Sequence, residues 1–144
     1  MLSPGVRRLL AVITVLLAIL LLAGALTIPF VFESPSMWYK FGLDKTSLRI
    51  GKMIGLTAGI LILMQLALAG RFKTLDRIFS MPGLIRQHRI HAWVIVILAL
   101  VHPILVLYSE KMIMIPMALR YWPEWVGVGL WAAIFLQFAG SQLR

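Results

Sequence analysis

The sequence predicts an all-α, polytopic membrane bundle with four transmembrane helices, and three observations carry that prediction. Four apolar runs carry no Asp, Glu, Lys or Arg: Leu9 to Phe32, Met53 to Gly70, Ile90 to Ser109 and Trp125 to Leu143. Hydrophobic residues make up 61% of the 144, and the mean hydropathy is +0.95. That is far beyond a soluble domain of this size. The charged residues are confined to the termini and to the connections between the runs.

The first run is 24 residues long and follows Arg7-Arg8, enough to span a hydrocarbon core about 30 Å thick. A cleaved signal peptide is the rival reading, given Ala23-Gly24-Ala25, and a twin-arginine export signal a weaker one. The polar connection Glu33 to Lys52 holds Ser34-Pro35-Ser36 and the pair Trp38 and Tyr39, rings that favour the membrane–water interface. The second run is entered through Gly51-x-x-x-Gly55-x-x-x-Gly59. Glycines so spaced share a helix face and admit a neighbouring helix or a flat cofactor; ordinary helix packing is the simpler of the two.

The loop Arg71 to Arg89 is the most basic, with Arg71, Lys73, Arg77, Arg86 and Arg89 against Asp76, and Pro82-Gly83 reads as a turn within it. In the third run Pro103 follows His102, so it either kinks the helix or begins its end. The connection Glu110 to Glu124 holds the short apolar piece Met112 to Leu119 and the interfacial cluster Tyr121, Trp122 and Trp125. The fourth run closes the bundle, giving one transmembrane domain over 1–144.

Four crossings put both termini on one side. That side carries eight Lys/Arg and the other six, so the positive-inside rule places the termini and the His88 end in the cytoplasm of a cell (inner or plasma) membrane protein. The net charge of +9 sits beside apolar segments. It points to anionic lipid and topology, not to nucleic acid. Cysteine is absent, which excludes disulfides, thiolate-held iron–sulfur clusters and covalently attached haem.

The chemistry-bearing stretch is Arg86 to Leu105. His88 and His102 are 14 positions apart, hence within roughly 40° on a helix and roughly 21 Å apart along its axis. His91, Ala92, Ile95, Ala99 and Val106 share the stripe, and Trp93 points away. An ionisable group inside a membrane helix is costly and marks a function by default. Three readings follow. Imidazoles near both ends of a face with small residues suit two b-type haems in a transmembrane electron carrier. A proton or metal-ion pathway is the second, although no Asp or Glu lies in the four runs. Structural histidines bonded to neighbouring backbone or polar groups, in a non-enzymatic membrane subunit or transporter fragment, are the third.

From Leu56 to His102 the chain resembles the ferric reductase-like transmembrane domain. That superfamily includes ferric reductases, NADPH oxidases and the haem-bearing partner of a periplasmic methionine sulfoxide reductase. The likeness rests on an ordered set: a helix ending at Arg71, then Leu75-Asp76-Arg77-Ile78-Phe79, then His88-Arg89, then Ala92 four positions after His88 and a histidine at fourteen. It covers about a third of the chain. The resemblance implies a six-helix oxidoreductase domain with two stacked b-haems, whose third helix gives one histidine to each and whose fifth gives the other two. Carried over, His88 ligates the cytoplasmic-side haem iron and His102 the outer one. Electrons enter from a cytoplasmic flavin, or in one branch from quinone or a flavin partner, and leave toward iron, oxygen or a periplasmic partner. His91 then stands beside the ligands or the propionates, or replaces His88. Arg86, Arg89 and Arg120 are either propionate partners or topological anchors.

The chain departs from that pattern. It lacks the fifth-helix histidine pair, a sixth helix and a flavin (FAD) or NAD(P)H domain, and three histidines cannot supply four axial ligands. The expectation is an N-terminal part of a longer protein. The alternatives are a partner chain that supplies the missing ligands, or partial haem binding.

Overall fold

The computed structural model describes residues 3–32, 42–70, 72–111 and 114–142, with the side chains of Arg120 and Gln142 left aside. It is all-helical, and no strand occurs among the described residues. Helix α1 spans Pro4–Val31, α2 Gly42–Ala69, α3 Lys73–Ile78, α4 Met81–Ser109 and α5 Trp122–Gln142, the last preceded by a 3-10 turn at Leu119–Tyr121. The interfacial pair Trp38 and Tyr39 lies outside the described residues, as do Arg71 and the ends of the chain.

Local chemistry sets the helix ends. Ser3 caps α1, its hydroxyl accepting from the Val6 amide at 3.4 Å with Pro4 in the first turn. Gly42 opens α2 at φ 81°, a conformation glycine adopts without steric cost. Ser80 precedes α4, and Pro82 falls in its first turn, where a missing amide hydrogen costs nothing. The expected Pro82-Gly83 turn is therefore corrected: both residues belong to the start of α4. That helix runs on through Pro103 to Ser109, so Pro103 does not begin its end. Termination comes at Lys111, a non-glycine residue at φ 53°. Its amide reaches the Tyr108 carbonyl at 3.2 Å, and its ammonium meets Asp44 at 3.3 Å. The left-handed residue after the last turn closes off the helical ladder.

Helices α2 and α4 form the main contact, α1 packs on α2, and α3 on α1. The buried hydrophobic residues are few: Ala25 of α1, Leu48, Ala58 and Leu61 of α2, Ile78 of α3, and Ile95 and Val96 of α4. Most other large apolar side chains face outward, Leu9, Leu20, Leu63 and Ile104 among them. In water that surface would be untenable; against lipid tails it is the expected exterior.

Among the described residues three helices, α1, α2 and α4, are long and apolar enough to cross a membrane. Helix α5 has 21 residues but is not among them. Glu124, Gln137, Ser141 and Gln142 dilute its apolar content, and its main contacts among the described residues are with α4 and the preceding turn.

The helices pair at their ends. Arg7 donates through Nε to the Ile78 carbonyl at 2.9 Å, joining the start of α1 to α3. At the opposite end the Arg49 guanidinium lies 4.6 Å from the Phe30 ring centroid. The start of α1, the end of α2, α3 and the start of α4 thus share one end of the bundle.

Candidate functional site: the imidazole stripe of α4

The stripe exists as a helix face, and it looks at α2. Near its C-terminal end His102 is half-buried, its Nδ1 2.8 Å from the main-chain oxygen of Gly51. A carbonyl only accepts, so the ring must donate, and Nδ1 carries the proton. In the neutral ring Nε2 then keeps the lone pair. Gly55 makes room for this ring. A β-carbon there would stand 2.6 Å from His102 Cε1 and 2.7 Å from Nδ1. Gly51 serves α4 similarly, since its β-carbon would meet Val106 Cγ2 at 3.1 Å. Gly59 has nothing within 4 Å. Two rungs of the glycine ladder therefore seat α4 and its imidazole, and the third seats no neighbour among the described residues.

At the other end His88 is exposed and lines a cleft of about 230 Å³ between α2, α4 and α5, with Gln65, Ala92, Gln137, Phe138 and Ser141 among its walls. Gln65 donates through Nε2 to the His88 carbonyl at 2.9 Å, while its own Oε1 is buried and without a hydrogen-bond partner. Gln65 escaped the sequence reading, although it is the one amide side chain in the uncharged run 53–70. His91 is half-buried and its Nδ1 has no partner. Trp93 turns toward α5, edge-on to Phe138 at 4.8 Å between ring centroids.

The arginines stand apart from the imidazoles. Arg86 and Arg89 are exposed, and neither lines the His88 cleft. Their spacing with Trp93, three and seven positions on, puts all three on one face of α4, away from the stripe that meets α2. The side chain of Arg120 is outside the described residues.

A b-haem needs an imidazole nitrogen for iron and space for a flat ring. His102 has its tautomer fixed, the pattern by which ligating histidines are oriented, but its Nε2 also lies close to α2, 3.2 Å from where a Gly55 β-carbon would stand. His88 stands at an open cleft whose walls are mainly aliphatic, with Ala69, Ala92 and Phe138 beside Ile62, Leu66, Ile95, Val96 and Ile134. Each level thus presents one imidazole of this chain. All three histidines of the sequence lie on α4, so no other helix of this chain faces them with a second imidazole. Among the described residues no group of three or more His, Cys, Asp or Glu is placed to hold a metal ion. No family model matches the chain, and no curated protein or solved structure matches it.

Proposed function

We propose that the chain is the membrane part of a transmembrane electron carrier of ferric reductase-like design, with His88 and His102 each giving one axial imidazole to a b-haem. The observation that carries this reading is the Nδ1–H···O=C contact from His102 to Gly51, which leaves Nε2 the free electron pair. When bound, b-haem supplies one-electron exchange between ferric and ferrous iron. The chain's own residues orient and seat the ligands: the Gly51 carbonyl fixes the His102 ring, Gly55 gives it room, and Gln65 ties the His88 turn to α2. In this proposal α5 is the fourth crossing, both termini and the His88 end face the cytoplasm of a cell membrane, and the opposing ligands come from further helices or a partner chain. FAD and NAD(P)H belong to a further domain or partner. The acceptor is iron, oxygen or a periplasmic partner.

One observation favours a second reading, in which His102 is a structural clamp in a non-enzymatic membrane subunit or transporter fragment. The same ring lies so tightly over Gly55 that it explains the glycine by packing alone. Visible spectroscopy separates the two. The full chain is purified in detergent with haem supplied, beside His88→Ala and His102→Ala, and the haem that copurifies is measured by its visible spectrum. The electron-carrier reading expects sharp haem bands in the unsubstituted chain and loss of roughly half the haem in each variant, as one of the chain's two ligands is removed. No such bands, or bands that both substitutions leave unchanged, would overturn it.

A further inference from the structure

We infer that α3 and the segments beside it form a docking surface for anionic phospholipid headgroups, with Arg7 as its fixed point. This inference needs neither haem nor a particular orientation across the membrane. Among the described residues six bases are exposed at this end of the bundle, Arg7, Arg8, Lys73, Arg77, Arg86 and Arg89, and Asp76 is the one acidic residue among them. Helix α3 has six residues, about 9 Å of helix, so it cannot cross a bilayer and links α2 to α4 at the bundle's end. Its Ile78 is buried, only 5% exposed, while Lys73 and Arg77 face out. Phe72, Met81 and Ile85, close to these bases in the chain, are themselves more than 40% exposed. Apolar side chains interspersed with cations suit the boundary where acyl chains meet phosphates.

Arg7 adds a built feature. Its Nε–H is committed to the Ile78 carbonyl at 2.9 Å, which holds the guanidinium at the joint between α1 and α3. The terminal amino edge of the same planar group remains for an oxyanion, the bidentate geometry that arginine gives to phosphate. Net positive charge selects an anionic headgroup over a zwitterionic one, because the latter carries its own ammonium.

The full chain in a neutral detergent is mixed with equal amounts of phosphatidylglycerol and phosphatidylcholine, passed through gel filtration, and its retained lipid measured. The unsubstituted chain is expected to keep phosphatidylglycerol in excess, with roughly fivefold weaker retention for each base removed. Arg7→Gln, Lys73→Gln and Arg77→Gln together should bring it level with phosphatidylcholine, whereas Lys45→Gln with Lys52→Gln, at the opposite end, should leave the excess in place. Salt tests the unaltered chain: about 0.5 M NaCl should release the anionic lipid and spare the zwitterionic one. Equal retention of both lipids would overturn the inference and leave an acidic protein surface as the partner. So would an excess that survives the triple change or high salt, or one that the distal pair abolishes equally.

Discussion

His102 Nδ1 lies 2.8 Å from the main-chain oxygen of Gly51, and this contact joins the two helices that form the heart of the bundle. Fifty-one positions separate the residues, so only the docking of α4 on α2 brings them together. Gly51 O also lies within the α2 ladder, and a carbonyl has two lone pairs to offer.

Gly55→Ala should destabilise the bundle by roughly 1–3 kcal/mol, the usual cost of overpacking a filled site. Its methyl would meet the His102 ring at 2.6 Å. Gly59→Ala, with nothing within 4 Å, should be neutral or stabilising by up to about 1 kcal/mol, because alanine favours the helix interior over glycine. Thermal unfolding in detergent compares the two, and equal effects would contradict the seating of His102 on Gly55.

His102→Ala should cost roughly 1–3 kcal/mol through the lost hydrogen bond and the void left behind. With the ring gone, Gly55→Ala should become nearly neutral. The double-mutant cycle measures that coupling; additive costs would show that the ring and the glycine do not touch.

Gln65 tests the other end of the stripe. Gln65→Leu removes both the bond to the His88 carbonyl and the unpartnered Oε1, so the net change should stay within about 1 kcal/mol. Gln65→Glu loses the donor and puts a carboxylate oxygen opposite a carbonyl, which should cost about 1–3 kcal/mol. Unfolding of both variants at neutral pH ranks them, and the reverse order would refute the assigned donor.

Glu110, just past the end of α4, gives a pH prediction. Burial raises its pKa, the Glu124 charge adds to the rise, and Lys52 opposes it. Glu124 Oε2 is itself buried without a partner. The folded state therefore holds the Glu110 proton to higher pH than the unfolded chain does. Stability falls as pH climbs from the ordinary glutamate value to the raised one, and stays lowered above it. Glu110→Gln should match the unsubstituted chain below that window and exceed it above, by no more than about 1 kcal/mol given solvent screening. Stability measured across acidic to neutral pH decides it, and a variant less stable at neutral pH would contradict the stated cause.

The sequence by itself determined the helical class and the membrane-length apolar helices α1, α2 and α4. Uncharged runs bounded by bases can satisfy their backbone in lipid only as helices. It also determined that His88 and His102 share a stripe, because helical periodicity fixes the angle between positions on one rod. Helix ends were less legible. Pro82-Gly83 reads as a turn, but the same residues can open a helix behind Ser80, and only the chain's path after α3 chose between these. The tertiary structure alone decided what the stripe faces: Gly51 and Gly55 receive His102, Gln65 reaches the His88 turn, and Gly59 seats nothing. Three glycines at one spacing look alike in sequence. The line along which α4 crosses α2 sets which of them has a partner, and that line depends on side-chain packing between segments distant in the chain.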